Sequence, residues 1–381
     1  MGLIPRPDST SPLSEVFYFA LHWASWIKNW PARSKAKRLC HAIRKSGNAV
    51  PALNYGRIVS PSGGRLPIGG EIKLIPLKKR FPEHFQCFDL VYLVSSALPS
   101  HAEVLVAQAK KRGMPLVWNQ NGVGYPGWCG DFYPWFNRRM ARLRRQADFI
   151  FNQSEFSRLS ANRYLGNVST PSETLFNPVD LEKFHPAAEP LDQRAWHILA
   201  AGTSHALYRT QSVIDTFKVL LSRKCQVRLL IAGEFRWPGA DADVRRLLEG
   251  IANHVEILPP FTQAEAPAIY RRAHVLLHTK YHDPCPTVPI EAMACGLPVV
   301  GTKSGGMPEL VPTTCGILTP VSSSWTQDLA GDPVHLADAV EAVMSRHAEM
   351  SAAARAHAMA TFDVEKWVAR HEQVFQQLHR A

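Results

Sequence analysis

The sequence predicts an α/β protein made of two parallel-sheet domains, and three observations carry that prediction. The chain has 381 residues and 46% hydrophobic content, enough to bury two cores. Short apolar, β-branched runs alternate with helical stretches, the pattern of strands paired in parallel through helical crossovers. That alternation gives way to a linker at Ala187 to Arg194 and then begins again.

In the first region, a strand over Glu15 to Leu21, an aromatic loop from His22 to Pro31 and a helix from Ala32 to Lys45 make one β-loop-α unit. Strands follow at Ile72 to Pro76, Phe88 to Val94 and Pro115 to Trp118, with a helix over Ser100 to Arg112 between the last two. Gly56 to Gly70, containing "SPSGGRLPIGG", reads as an exposed loop whose glycines match no phosphate fingerprint. The basic stretch Phe136 to Ala147 is helical in composition, and "ADFIFNQSEFSR" carries a strand to Ser154 and opens another helix. In the second region strands are expected near Ile198 and over Leu229 to Ala232, Val255 to Leu258 and Val275 to His278.

The run "HDPCPTVPIEAMACGLPVVGTKSGGMPELV", His282 to Val311, concentrates the chemistry. Thr287 reads as a helix cap, Pro289 as a first-turn proline and Glu291 as an acid at the helix start. Gly296 stops that helix, and Leu297 to Thr302 is short and apolar enough for a central parallel strand. Ser304, Gly305, Gly306, Met307, Pro308 and Glu309 then turn the chain into another helix. Glycine at such a turn lets backbone N–H groups approach a bound oxygen, and the helix adds its positive end. Asp283 and Glu291 flank the first helix start, and carboxylates there suit vicinal hydroxyls. An acidic pair beside an anion-binding loop fits a ligand that carries both sugar and phosphate. The plain alternative is that Glu291 complements a helix dipole and the glycines only turn the chain.

This stretch resembles the signature of the retaining glycosyltransferases of family 4, the "group 1" transferases, in which an E-x7-E element precedes a G-[TLC]-P-V-V strand. "LFNPVDLEKFHP", Leu175 to Pro186, similarly resembles the N-G-V-D-x-x-x-F-x-P element that closes the first domain of that family. The resemblance implies a GT-B fold, two Rossmann-like doubly wound domains facing a central cleft. It places an acceptor domain at 1–186, a donor domain at 195–363, and a terminal helix at 364–381 packed back on the first domain. It further implies that Glu291 binds the ribose of a nucleotide, that Asp283 contacts the donor sugar, and that Gly305 and Gly306 meet sugar and diphosphate. Asp283 stands where the family carries Glu, one methylene longer.

The family's diphosphate-binding Arg and Lys, six positions apart, correspond here to Thr203 and Arg209, so one cation is kept as a bidentate donor and the other is a hydroxyl. His205 stands nearby as a substitute. Gly202, Pro286, Thr287 and Ser304 complete the donor-facing set, and Glu309 either reaches the ribose or only caps its helix. Asn121, in "PLVWNQNGVGYPGW", falls where many relatives place a histidine; an amide relays no proton at neutral pH. The resemblance then leaves the departing phosphate to assist deprotonation of the acceptor, with Arg209, the loop amides and the helix dipole stabilising charge and no metal required. On the acceptor side, Tyr125, Trp128 and Trp135 read as an apolar wall or as core, and His22, Trp23 and Trp26 as cleft-facing loop residues.

Seven scattered cysteines without a C-x-x-C pair read as reduced thiols, and sixteen histidines show no metal-ligand spacing. The formal charge is +11, with clusters at Lys35 to Lys45, Lys78 to Arg80 and Arg138 to Arg145. No nucleic-acid signature surrounds them, so the basic balance suits either a solvated helix face or peripheral contact with an anionic membrane surface. No apolar run is long enough to span a bilayer and no secretory leader is recognisable, which gives a cytoplasmic expectation, peripheral at the inner membrane face.

The function so read is transfer of a sugar from a nucleoside diphosphate to a hydroxyl of a glycan or lipid-linked saccharide, in cell-surface polysaccharide or glycolipid synthesis, without a cofactor. The alternative is a weakened nucleotide-sugar-binding subunit of a transferase complex, which Thr203 and Asn121 favour. Phosphorolysis or epimerisation on the same architecture is a third reading.

Overall fold

A computed structural model of the protein describes residues 30–47, 49–58, 73–189, 191 and 194–380. The expected strand over Glu15 to Leu21, His22, Trp23 and Trp26 lie outside these residues, as does most of the loop from Gly56 to Gly70.

The first sheet contains β1 (Leu53–Asn54), β2 (Leu90–Val94), β3 (Leu116–Gln120), β4 (Phe149–Asn152) and β5 (Ser172–Thr174), parallel throughout and in that spatial order. Every residue of β2 and β3 is buried, as befits strands covered by helices on both faces. Its helices are α1 (Trp30–Cys40), α2 (Leu74–Arg80), α3 (Ala102–Lys111), α4 (Pro126–Cys129), α5 (Tyr133–Arg144) and α6 (Glu155–Leu165). One face of the sheet buries Cys40, Leu105, Met140 and Leu165 from α1, α3, α5 and α6.

The second sheet contains β6 (Trp196–Ala201), β7 (Val227–Ala232), β8 (Val255–Leu258), β9 (Val275–His278), β10 (Val299–Thr302) and β11 (Gly316–Thr319), again parallel. Its helices are α7 (Leu207–Ser222), α8 (Ala240–Leu247), α9 (Ala266–Tyr270), α10 (Thr287–Ala294), α11 (Met307–Leu310), α12 (Pro333–Ser345) and α13 (His347–Thr361), and α14 (Val364–Arg380) ends the chain. The spatial order is β11-β10-β9-β6-β7-β8. The winding therefore reverses between β6 and β9, and a crevice opens at the carboxyl ends of those two strands. The loops that leave them, 202–206 and 279–286, carry most of the predicted donor residues.

Helix α14 returns to the first sheet and packs on the face opposite α1 and α3. Trp367, Val368, Val374 and Phe375 share one core with Tyr92, Val94, Phe151, Leu74 and Leu77. His371 is fully buried there, its ring nitrogen 3.0 Å from the Tyr92 hydroxyl, and burial pushes its pKa down to about 3. Arg370 pairs with Glu173 at 2.6 Å and Arg80 with Glu372 at 2.7 Å along the edges.

This packing explains one error of sequence reasoning. Ile72 to Pro76 reads locally as a strand, yet Leu74 to Arg80 is helical. Leu74 and Leu77, three apart, both bury against α14, and Pro76 sits in the first turn where its missing N–H costs nothing. The partner surface comes from the far end of the chain, so local pattern could not reveal it. The first helix begins at Trp30, two residues before the expected start, and ends at Cys40, and Gly56 and Ile58 are buried rather than exposed.

Phe375→Ala is expected to destabilise the first domain by about 3–5 kcal/mol, the usual cost of emptying a buried aromatic site. Denaturant unfolding followed through Trp118 of the first sheet and Trp196 of the second, in single-tryptophan variants, should show the loss only at Trp118.

Candidate active site

The predicted donor residues gather at the crevice between β6 and β9. After β6 the chain turns through Gly202 at φ +92°, which leaves Val288 of α10 3.4 Å from where a Cβ would stand. Thr203 follows, and its carbonyl accepts a 2.7 Å hydrogen bond from Arg209 Nη1 in the first turn of α7. The Arg209 Nε is buried and has no partner among the described residues. Burial lowers its pKa, while Tyr208 and Asp283 act to hold the charge. Exposed His205 is destabilised as a cation by partial burial and then by Lys280, Arg209 and Arg236, so it adds a neutral group to a basic neighbourhood.

At the end of β9 and in the loop after it stand three groups that the sequence pattern did not single out. His278 is buried with Nε2 unpartnered, and burial together with Arg209 pushes it down to about 3. Lys280 Nζ lies 2.6 Å from Asp283 Oδ2. Burial works to raise the Asp283 pKa, yet Lys280, His278 and Arg209 together hold it below the ordinary carboxylate value. His282 takes a left-handed backbone, φ +48°, uncommon for a residue with a side chain. Its N–H donates to Ser304 Oγ at 2.8 Å, and burial pushes its imidazole down to about 4.

Helix α10 starts one residue earlier than its cap signal suggests. Pro286 holds the cap position without a side-chain bond, Thr287 is the first helical residue, and Glu291 falls in the second turn. Glu291 is buried, and its carboxylate accepts from Tyr270 Oη and Gln263 Nε2, both at 2.8 Å. Burial raises its pKa and the two hydrogen bonds pull it back. Asp283 and Glu291 thus have different partners, the first among cations and the second among neutral donors. Gln263 and Tyr270 had no signal in the sequence beyond residue type.

The glycine turn serves the protein backbone first. A Cβ on Gly305, at φ +63°, would stand 2.3 Å from the Asp283 carbonyl oxygen, and one on Gly306 would stand 2.1 Å from that of Pro284. The Gly306 N–H donates to Asp283 O at 2.8 Å, which corrects the expectation that this amide meets the diphosphate. Glu309 is likewise committed elsewhere: its two carboxylate oxygens accept from the N–H groups of Glu155 and Phe156 at 2.6 and 2.8 Å, across the cleft at the start of α6. Ser154 Oγ accepts from Ser157 N, so both domains contribute to capping this helix.

On the first-domain side, Asn121 directly follows β3, with its N–H on Ser95 Oγ at 2.9 Å and Nδ2 on Ser96 Oγ at 3.1 Å. The adjacent Gly122 faces Pro284, whose Cγ would be 3.4 Å from an added Cβ. Lys73 is buried at the domain junction, its Nζ 3.0 Å from Asn177 Oδ1, and Asn177 Nδ2 donates to the Cys285 carbonyl at 2.7 Å. Burial pushes Lys73 down to about 8, with Cys285 and Asp283 favouring its charge.

A loop of the second domain, residues 320–331, reaches across to the first. Gly127 N donates to Trp325 O at 2.8 Å and Tyr125 Oη to Asp328 Oδ1 at 2.9 Å. The Trp325 ring stacks on Phe156 at 5.4 Å and meets Tyr125, Tyr164 and His282 at 5.3, 5.3 and 4.5 Å. The expected aromatic wall is therefore divided. Tyr125 is buried beneath this loop, while Trp128 and Trp135 face outward, 36% and 56% exposed.

Comparison with known proteins agrees with this geometry. Residues 196–346 match the family model described as Glycosyl transferases group 1, so the second domain is a group 1 glycosyltransferase domain. Two solved GT-B neighbours share the two-domain fold. HepE of Anabaena, in complex with UDP-glucose, aligns with a TM-score of 0.65 at 17% identity, covering 86% of this chain and 100% of that one. Sucrose-phosphate synthase from Thermosynechococcus elongatus aligns at 0.60 with 17% identity, covering 76% of this chain and 74% of that one. Among curated relatives, a D-inositol 3-phosphate glycosyltransferase of Nocardiopsis dassonvillei is 30% identical over 183 residues, 44% of this chain and 42% of that protein. One of Pseudarthrobacter chlorophenolicus is 31% identical over 140 residues, 34% and 33%. The chain thus matches well under half the length of these relatives.

Glu309→Ala should remove two of the acceptors at the start of α6 and cost about 1–2 kcal/mol, a typical capping loss. Hydrogen exchange at the Glu155 and Phe156 amides is the direct readout and should accelerate, while exchange within β9 and β10 stays unchanged.

Proposed function

We propose that the chain is a retaining glycosyltransferase that moves a sugar from a nucleoside diphosphate to a hydroxyl of a glycan or lipid-linked saccharide. The observation that carries this reading is Arg209. One of its nitrogens is fixed on the Thr203 carbonyl and another is buried without a partner, at the crevice of a group 1 glycosyltransferase domain. A guanidinium already oriented by one bond and still owed another suits a diphosphate whose charge grows as the glycosidic bond breaks. Lys280 and Arg209 hold the Asp283 carboxyl below its ordinary value, so it is ionised and suited to sugar hydroxyls. Glu291, Gln263 and Tyr270 make the ribose subsite. The leaving phosphate, rather than Asn121, assists the acceptor proton, and no metal is needed by this arrangement.

A UDP-linked donor is the first choice, because HepE was solved with UDP-glucose. The setting we favour is the cytoplasmic face of a membrane, in synthesis of surface polysaccharide or glycolipid. A second reading is a donor-binding subunit of a larger transferase, with Thr203 in place of a cation and Lys280 engaged by Asp283. In its support, a relative in Schizosaccharomyces pombe, 32% identical over 104 residues (26% of this chain and 23% of that protein), is described as the gpi3 subunit of a phosphatidylinositol N-acetylglucosaminyltransferase.

Incubation with a panel of UDP- and GDP-sugars separates these readings: turnover with retained anomeric configuration supports the transferase, and donor binding with no turnover in any pairing supports the subunit. Arg209→Ala should lower kcat at least tenfold while changing donor affinity less, because the interaction strengthens with developing charge. Glu291→Gln should keep the fold, since an amide oxygen still accepts from Tyr270 and Gln263 can reverse its own amide. It should weaken UDP binding by about 1–3 kcal/mol in calorimetry, from loss of a charged acceptor for the ribose hydroxyls. Unchanged UDP affinity would remove Glu291 from the subsite.

A further inference from the structure

Lys280 stands in the loop that leaves β9, and its Nζ is 2.6 Å from Asp283 Oδ2. The lysine side chain is 42% exposed and the aspartate 13%, so the pair has one open end, and it is the cationic one. The bond to Asp283 is the one hydrogen bond that Lys280 makes among the described residues. An ammonium carries three N–H groups, and two of these therefore have no acceptor in the protein.

Few other charges are at hand. His205 and His278 are both pushed below the ordinary imidazole value by burial, with Lys280 and Arg209 acting in the same direction. Arg236, which also acts on His205, is paired with Glu234. Thr203 offers no charge, and its carbonyl holds Arg209. What remains is Arg209 and Lys280 against the ionised Asp283. A nucleoside diphosphate entering here adds further negative charge beside that carboxylate, and the two anions repel unless a cation stands between them. Arg209 is anchored on the Thr203 carbonyl and makes no hydrogen bond to Asp283 among the described residues. Lys280 does make one, and it has donors left over.

We infer that Lys280 bridges Asp283 and the donor's diphosphate, keeping one N–H on the carboxylate and giving the others to phosphate oxygens. This rests on the reading of the crevice as a donor site. Lysine suits the place, because a compact charge on a flexible stem with three rotatable donors meets two anions at once. The carboxylate assigned to the sugar hydroxyls then tolerates the diphosphate next to it, and both halves of the donor are held by one connected group. Lys280 and Arg209 divide the work. Arg209 answers the charge that grows as the glycosidic bond breaks, whereas Lys280 compensates charge already present in the bound donor, so its loss falls on affinity more than on kcat.

Calorimetric titration of the full chain with UDP and with GDP tests this. For whichever nucleotide binds, Lys280→Met should weaken binding about tenfold or more, the loss of a charged hydrogen bond. Lys280→Arg should keep it within about threefold, since a guanidinium also spans two anions. Asp283→Asn alone should leave nucleotide affinity within about threefold, because an amide oxygen still accepts from Lys280 and no longer repels phosphate. In the Lys280→Met background, Asp283→Asn should recover about fivefold, by removing the carboxylate left uncompensated. An ion pair that only braces the loop predicts equal losses from Lys280→Met and Asp283→Asn, and that result would overturn the bridge, as would unchanged nucleotide affinity in Lys280→Met. A wild-type chain that binds neither nucleotide overturns the donor reading itself, and the bridge with it.

Discussion

The backbone at Ser304 to Gly306 lies directly on that of Asp283 and Pro284, with no room for a single side-chain carbon between them. Much of the site follows from this contact. It fixes the Asp283 carbonyl through the Gly306 amide and the left-handed His282 through Ser304 Oγ, which together aim the 279–286 loop into the crevice. It also sets where α11 begins, and hence where Glu309 meets the first turn of α6. Two glycines that look like ligand-binding residues are required by the close approach of one backbone segment to another.

Around that contact the charges are sorted by burial and by partner. Asp283 sits among Lys280, His278 and Arg209 and is held ionised, whereas Glu291 sits among neutral donors and its charge is opposed by burial. One carboxylate is thus part of a nearly balanced ionic group, and the other is an acceptor surrounded by hydroxyl and amide. His205, His278 and His282 are all pushed below the ordinary imidazole value by burial, so the positive charge beside Asp283 rests on Arg209 and Lys280. Of these cations Arg209 keeps a buried Nε with no partner among the described residues.

The second domain was more legible than the first, for a physical reason. Its strands at Leu229 to Ala232, Val255 to Leu258 and Val275 to His278 are short apolar runs bounded by turns, and each lies within a residue or two of where it reads. Arg209, Asp283 and Glu291 could be placed because they lie in loops or in the first two helical turns beside such strands. What escaped depends on distant partners. The helix at Leu74 to Arg80 is decided by α14, the use of Glu309 by α6, and the burial of Lys73 by Asn177. The 320–331 loop carries no periodicity at all, and only the fold reveals that Trp325 is the centre of an aromatic cluster joining the domains.

Helix α14 closes the first core with residues that follow the entire second sheet. Until α14 docks, Tyr92, Val94 and Phe151 have only the shorter α2, with Leu74 and Leu77, and Tyr55 and Phe81 to share that flank among the described residues. The second lobe, whose strands and helices are all contiguous, is complete before then. The core of the first lobe is thus completed by a segment that lies beyond the second lobe in the chain, which ties the two lobes together through sequence as well as through contact.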